Sequence, residues 1–582
     1  MLSNMKRLNI ILPITLLVLA TGCKKLIDQY PESNSTASLY YKSLDECNVA
    51  LTGCYNGMQK TLTEEWTLTE LRSDNAIQGV PASTSSNNRD LSDLDMFMPS
   101  TSHAGNYNYW LSVYNNIRNV NLLLDAMKVN YNSSTGTISY DPFSITSMSE
   151  ANRKSLAAEA LFIRAYHYFN LVRLYGGVFL IHEPVNAEDA KSINRSSVAD
   201  IYKLIEADLT NAALNGNTAK YSSTSTSLGR ANSWAAKALL AKVYLTQNKK
   251  AEAITLLQDV ITNSGYVLQP SYAGIFSINN EMNSEVMFAI RFKAGGLGLG
   301  SPFPNLFAPL SSGSAVVNGD GRGLNFPSTD VFTCYNLYPA TGSVKKDSAR
   351  VVLTAANANI QPGMFVSGTQ IAAGTTVAAI AGNVLTLSIP ATATSTTGAL
   401  TIGDARRPAT IVQFTAAKPY PAKLVSNPAI ANDAENDWIV LRYADVLLMM
   451  AEAQGNTPSS LAFMNQTRVR GGLAPIQATA VTTTAQFEDS LQRERRYEFA
   501  FENQRWFDLV RYSTTMTTIN PVTVMQAHFT KEYPTQYAQY PAPRLTLAEL
   551  QAQCTTNKLL LPIPQREIDN NTRIVIQQNP GY

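Results

Sequence analysis

The feature that most limits what this chain can fold into is a series of segments carrying apolar residues every three or four positions. They run over Tyr41 to Leu62, Tyr109 to Met127, Ser155 to Tyr175, Val198 to Leu214, Ser233 to Thr246, Ala251 to Thr262, Arg442 to Gln454, Ser459 to Arg470 and Phe487 to Arg511. In Tyr109 to Met127, for example, Trp110, Tyr114, Ile117, Val120 and Leu124 fall on one face. The segment ending at Tyr175 meets Gly176-Gly177, a helix stop. No such stripe buries itself alone, so the helices must pack on one another into a mainly α body.

Ser233 to Thr262 reads as a unit of that packing. Ala236, Leu240 and Tyr244 line its first helix, Gln247-Asn248 make the turn, and Ala253, Leu257 and Val260 line the second. It resembles a tetratricopeptide hairpin of about 34 residues. Ala158 to Tyr175 and Ala444 to Val469 are looser copies. Stacked hairpins serve either as a protein-docking scaffold or as a structural spine, and both readings stay open. Between the helices lie long irregular stretches, Asp74 to Tyr107, Ala294 to Val331 and Ser513 to Leu545, of the kind that carries function.

Residues 351–403 differ in kind, with no Asp, Glu, Lys or Arg. Thr375 to Ile380, then Gly382-Asn383, then Val384 to Ser388 reads as strand, tight turn and strand, so a small all-β insert is expected there. Its charged flanks, Lys345 to Arg350 and Asp404 to Arg407, suggest a module set into a surface loop.

The first 23 residues are an address. Lys6-Arg7 precede an apolar run from Leu8 to Ala20, shorter than the ~20 residues that span a bilayer. The run ends Leu19-Ala20-Thr21-Gly22-Cys23, which resembles a bacterial lipobox whose cysteine is acylated, here Cys23. Removing Lys6 and Arg7 from 46 basic residues leaves 44 against 44 acidic ones, so no basic excess points to nucleic acid. Cys47 and Cys54, seven apart on one helix, are expected either as small buried thiols or as disulfide partners, and the disulfide state of Cys334 and Cys554 is equally open. With no CxxC and no Cys/His cluster, no metal or cofactor is expected.

The motifs resemble one family. Cys23-Lys24-Lys25-Leu26-Ile27-Asp28 with Pro31, Ala158 to Phe169 around Arg164, and Leu174-Tyr175-Gly176-Gly177 match its N-terminal half. Arg442-Tyr443-Ala444-Asp445, Ala451-Glu452-Ala453, Asn465, Arg468-Val469-Arg470, Glu494 to Glu502, Arg505 to Arg511, Leu561 to Pro564 and Gln578 to Tyr582 match its C-terminal half. Phe179 stands where Pro is usual, and Asn503 where Gly is. The chain thus resembles the SusD/RagB family of outer-membrane nutrient-binding lipoproteins, apart from the insert. The resemblance implies a signal peptide at 1–22, an N-terminal SusD-like helical region at 23–340, the β-rich insert at 351–403 and a C-terminal SusD/RagB region at 404–582. It implies a lipid-anchored protein on the cell surface. Such a protein closes over a TonB-dependent SusC-like β-barrel transporter and carries an oligosaccharide, or in some members a peptide.

Sugars are held by aromatic faces and by amide, carboxylate and guanidinium groups, and 27 Tyr and 20 Phe against 4 His lean that way. The ligand candidates are Trp66 with Arg72, Asp74 and Asn75; Asn106, Tyr107, Tyr109 and Trp110; and Phe303 with Phe307. The competing reading of Trp66, Trp110 and the Phe303 loop is helix packing or plain surface. Glu494, Glu498 and Glu502 recur every four residues among Arg495, Arg496 and Arg505. Paired carboxylates can hydrolyse glycosides, but a structural ion-pair stripe is the expected role. Gly295 to Gly300 lacks the context of a phosphate loop, and neither GxSxG nor HExxH occurs. The functions carried forward are glycan uptake, a peptide-binding or scaffolding tetratricopeptide lipoprotein, and, least favoured, a glycosidase.

Overall fold

The computed structural model describes residues 40–79, 86–220, 227–415, 418–540, 545–571 and 573–582. The signal peptide, Cys23 and the motif through Pro31 lie outside the described residues.

Eight helices form one linear stack: α1 (Leu44–Leu68), α2 (Ala104–Ala126), α3 (Glu150–Tyr175), α4 (Val198–Asn215), α5 (Ser233–Thr246), α6 (Lys250–Asn263), α7 (Tyr443–Gln454) and α8 (Pro458–Arg470). Each packs on the next. The hairpins expected at Ser233 to Thr262 and Ala444 to Val469 are α5–α6 and α7–α8, whereas Ala158 to Tyr175, expected as a looser copy, lies within the single helix α3, whose hairpin partner is α4. Ala236, Leu240, Ala253, Leu257 and Val260 are buried, and Asn248 makes the α5–α6 turn at φ +60°. Helix α3 is buried on nearly every side, which is why its apolar pattern runs all round. Arg164 on α3 makes a bidentate pair with Asp208 on α4 at 2.8 Å and 2.8 Å, a fixed cross-link between hairpin arms. Cys47 and Cys54 point into the core from α1 as free thiols; Cys334 and Cys554 are free as well.

The single helix expected over Phe487 to Arg511 is two, α9 (Thr484–Phe499) and α10 (Arg505–Thr515). Between them Phe501 and Asn503 adopt φ +66° and +56°. Their N–H groups donate at 2.9 Å and 3.0 Å to the carboxylate of Glu70, which replaces the carbonyls a continuous helix would supply. Asn tolerates that conformation nearly as Gly does, which accounts for Asn503 where the family has Gly.

The expected irregular stretches contain short elements. Ser86–Asp95 and Pro521–Glu532 are helices, and strand β1 (Ala76–Gln78) pairs antiparallel with β3 (Asn325–Pro327). At the end of β1, a Cβ on Gly79 would lie 1.8 Å from the Gly323 carbonyl oxygen, so only glycine permits this approach. Strand β2 (Val286–Ile290) pairs with β12 (Trp438–Arg442), which leads into α7.

The β insert is larger than composition suggested. Its strands are β4 (Leu337–Val344), β5 (Arg350–Leu353), β6 (Phe365–Ser367), β7 (Val377–Ala381), β8 (Val384–Leu387) and β9 (Ser395–Gly403), ordered β6-β9-β4-β5-β8-β7. It therefore begins at Leu337, ahead of the 351 expected, because the charged run Lys345 to Arg350 is the connection between β4 and β5. The two outer strands meet. Phe365 bridges Thr376, and Gly363 and Val377 exchange bonds with Val377 and Met364 at 2.8 Å each, so the sheet closes on itself. Val351, Val366, Val377, Leu385 and Ile402 fill its interior, and Leu473 of the body joins them. Gly363 and Gly472 seat the insert backbone to backbone on the α8–α9 connection; a Cβ on Gly472 would lie 2.4 Å from the Met364 nitrogen.

Candidate functional site

The sequence-selected segments converge at one end of the stack, but as its interior wall. Trp66 meets Phe307 edge-on at 5.1 Å; Phe303 lies 5.6 Å from Phe307 and 4.6 Å from Trp438. Trp110 stands edge-on to Tyr175 at 5.0 Å and Phe179 at 5.7 Å, and Tyr109 is fully buried. Asn106 donates to the Pro562 carbonyl at 2.9 Å and accepts from the Tyr175 hydroxyl at 2.7 Å. Arg72 is stacked between Trp506 at 4.5 Å and Phe97 at 5.0 Å and donates to the Lys558 carbonyl at 2.8 Å. Asp74 is clamped by Arg505 at 2.7 Å and 2.9 Å, and Asn75 accepts from Arg496 at 2.8 Å while donating to Glu70 at 2.9 Å. Burial leaves Trp66, Arg72, Asp74, Asn75, Asn106, Tyr109, Trp110, Phe303 and Phe307 no face for a sugar in this conformation. The reason is periodicity: Asn106 to Trp110 lies inside α2, whose pitch turns 106, 109 and 110 inward and leaves Tyr107 half-exposed beneath the Arg566 guanidinium, 4.8 Å away.

The Glu494–Glu498–Glu502 series is buried and paired across elements rather than along its own helix. Arg406, at the exit of the insert, reaches Asp404 at 2.7 Å, Glu494 at 2.5 Å and Glu498 at 3.3 Å. Arg442 reaches Glu285 at 2.8 Å, Glu498 at 2.5 Å and Glu502 at 2.9 Å, and Lys423 reaches Glu502 at 2.6 Å. Arg470 joins Glu285 at 2.8 Å and contacts Glu498. These guanidinium groups hold the Glu498 carboxyl far below the usual carboxylate range against the opposing effect of burial. Arg495 pairs with Asp508 and Asp445 at 2.9 Å each. Glu498 is thus a carboxylate held toward its ionised form among arginines, unsuited to delivering a proton. His167 is a packed core residue on α3, bonded to Asn116 at 2.8 Å. The Gly295–Gly300 loop has its anion already: Gly295 and Gly296 N–H groups both donate at 2.8 Å to the Asp433 carboxylate, which they hold below its ordinary range. Among the described residues no His/Cys/Asp/Glu group is arranged to hold a metal ion.

Accessible rings lie just outside the wall. Phe326 projects half-buried from β3, and Asn325 beside it has a buried side-chain oxygen with no protein hydrogen bond. The ribbon of β10 (Ile411–Thr415) and β11 (Lys418–Pro421) packs its second strand beside β3. Tyr420 and Val412 sit opposite each other in that ribbon and are half-exposed, as is Phe414. Half-exposed rings flanked by amides are what a sugar's C–H faces and hydroxyls require. The alternation Val412–Phe414 is a short period-two signal for the first strand of that ribbon, whereas Phe326 and Tyr420 lie in segments with no such pattern.

Residues 382–582 match the family model described as the SusD family, and residues 27–245 match one described as starch-binding associating with outer membrane. SusD-like protein P25 of Formosa agariphila is 25% identical, with 88% of this chain and 92% of that protein covered. A SusD-like protein of Bacteroides ovatus is 24% identical, covering 87% and 83%. Among solved structures, a laminarin binding SusD-like protein superposes with a TM-score of 0.64 at 21% identity, covering 93% of this chain and all 100% of that one. Surface glycan-binding protein A from Bacteroides thetaiotaomicron in complex with laminarihexaose gives 0.62 at 16% identity, covering 92% and 99%. At these identities the structural likeness shows a shared fold.

Proposed function

Because the chain belongs to the SusD family, we propose that it binds an oligosaccharide at the cell surface and passes it to a TonB-dependent SusC-like outer-membrane transporter. The observation that carries this reading is the correspondence of fold over more than nine-tenths of the chain with proteins described as binding laminarin and laminarihexaose. The lipobox-like Leu19 to Cys23 supports acylation of Cys23 and a lipid anchor in the outer membrane. No described helix is long and apolar enough to cross a membrane.

The protein is a binder and not an enzyme in this reading: Glu494, Glu498 and Glu502 are buried in ion pairs, with no catalytic pair offered to a glycosidic bond. The rings Phe326, Phe414 and Tyr420 are the stacking surface. Laminarin and laminarihexaose are the first ligands to test, by calorimetry and by mobility in polysaccharide-loaded native gels. Phe326→Ala and Tyr420→Ala should each weaken binding about tenfold, roughly 1.4 kcal/mol, when measured well below the melting temperature of each variant. Undiminished binding by both variants would place the glycan elsewhere, and binding of peptides but no glycan would favour the alternative reading as a peptide-binding or scaffolding lipoprotein. Purification of the natively lipidated protein from gently solubilised membranes should bring down a stoichiometric β-barrel, and its absence would remove the delivery step.

A further inference from the structure

The insert carries all its charge in one place. Across residues 337–403 the Lys, Arg, Asp and Glu residues are Lys345, Lys346, Asp347 and Arg350 alone, in the connection from β4 to β5 and at its end. Strand register fixes where that connection sits. Leu337 pairs with Gly403 at the body end of the barrel, where the Asp404 N–H donates to the Asn336 carbonyl at 3.1 Å and Gly363 meets Gly472. Val344 pairs with Ser395 and Val351 at the opposite end, and the connection lies beyond that pairing. Strand β4 has 8 residues, so after allowance for strand tilt the connection stands roughly 20 Å from the seat on the body. That is about two Debye lengths at physiological salt, too far for acids of the body to neutralise it.

The side chains of Lys345, Lys346 and Arg350 are exposed and make no ion pair or hydrogen bond among the described residues. The backbone beneath them is fixed. The Lys346 N–H donates to Thr394 Oγ1 at 2.9 Å, the Asp347 N–H to the Ala391 carbonyl at 2.9 Å, and the Ala391 N–H to the Ser348 carbonyl at 3.0 Å. Asp347 turns the chain at φ +62°. Three cations against one acid thus project from a hydrogen-bonded tip. The barrel wall below is neutral and exposes hydroxyls, among them those of Thr354, Thr386 and Thr397.

Such a tip suits a polyanion. Entry into a lipid surface needs an apolar face beside the charges, and the insert offers only Ile389, 38% exposed. We propose that the tip of the insert binds the sulfate or carboxylate groups of an anionic polysaccharide. The choice of a polysaccharide rests on the glycan reading above, and the tip extends its ligands from neutral to acidic chains. Arg350 can grip an oxyanion bidentately, and the two lysines act as point charges.

The test titrates the full chain by calorimetry with dextran sulfate, polygalacturonate, unmodified dextran and laminarin. Wild type should bind the two anionic polymers and not dextran, and should lose about tenfold or more in affinity between about 50 and 200 mM salt, as roughly three released counterions require. Replacing Lys345, Lys346 and Arg350 together by Gln should remove that binding and its salt dependence while laminarin affinity stays as in wild type. Asp347→Asn, which removes the one acid and still tolerates the left-handed backbone, should tighten it. Dextran sulfate bound equally by wild type and the triple variant, or by neither, would make the tip a solvated turn and overturn the assignment. Binding to phosphatidylglycerol vesicles that needs the three cations, without polymer binding that needs them, would make it a lipid contact and overturn it equally. Tip-dependent binding of dextran sulfate with no binding of laminarin would instead refute the stacking rings and leave the tip assignment standing.

Discussion

Replacing Glu498 by Gln keeps the shape of the side chain and removes one charge from the most densely paired part of the core. Asp404, Glu285, Glu494, Glu498 and Glu502 face Arg406, Lys423, Arg442, Arg468 and Arg470, five acids against five bases. Glu498 is fully buried, and three of the arginines converge on it. In such surroundings each pair is worth about 4 kcal/mol of attraction at an effective dielectric of 20, much of it offset by desolvation. The variant does not restore the desolvation, because the arginines stay buried with one counter-charge too few. Loss of one partner from a buried pair costs roughly 3–5 kcal/mol, and Glu498→Gln is expected in that range. Urea unfolding at neutral pH, followed by circular dichroism, measures it. The control is Asp489→Asn, whose ion pair with Arg493 at 3.0 Å is exposed, and whose loss should stay under about 1 kcal/mol. A Glu498→Gln cost no larger than that control would refute the argument that the network is dry and charge-balanced.

Two further perturbations probe other features. Deleting residues 337–403 and joining Asn336 to Asp404 through a short glycine linker should leave the helical body folded, because the Asp404 N–H already donates to the Asn336 carbonyl at 3.1 Å; loss of the body's cooperative melt would show that the insert is structurally required. Glu70→Gln tests linkage: burial pushes the Glu70 carboxyl up to about 7, so between its unfolded value near 4.3 and 7 the folded protein binds the extra proton, and wild-type stability gains from this site as the pH falls. The stability of the variant relative to wild type should therefore drop by roughly 2–3 kcal/mol from pH ~8 to pH ~5 in urea midpoints, and a constant difference would contradict the buried, protonatable state of Glu70.

The helical stack was legible because its stripes are set by local pitch: Ser233 to Thr246 is helical over the predicted residues, and Ala251 to Thr262 gains only one residue at each end. The break at Phe501 and Asn503 was not, because the group that fixes it, Glu70, lies 431 residues away from Phe501 in sequence. The insert was visible through its lack of charge, and for the same reason its first strand was missed: Lys345 to Arg350 interrupts the neutral run although the chain is already in the sheet. Residue types suited to sugar binding were recognised, but composition cannot say which side of a wall a tryptophan faces. Trp66 and Trp110 fill the interior, while Phe326 and Tyr420, in segments without a strong pattern, keep open surface.

The long-range clamps bear on the order in which the chain can complete its fold. Arg72 leans on the Lys558 carbonyl, Asn106 on Pro562, Asp74 on Arg505 and Arg195 on Asn579, so several polar groups near the start of the fold take partners from the last fifth of the chain. A polypeptide emerging N-terminus first cannot finish its early helices in order. Until residues 505–579 arrive, the Arg72 and Asp74 side chains lack the partners that satisfy them in the folded core. Completion of the fold then comes late, and a chain truncated before residue 505 would lack these partners and be open to proteolysis.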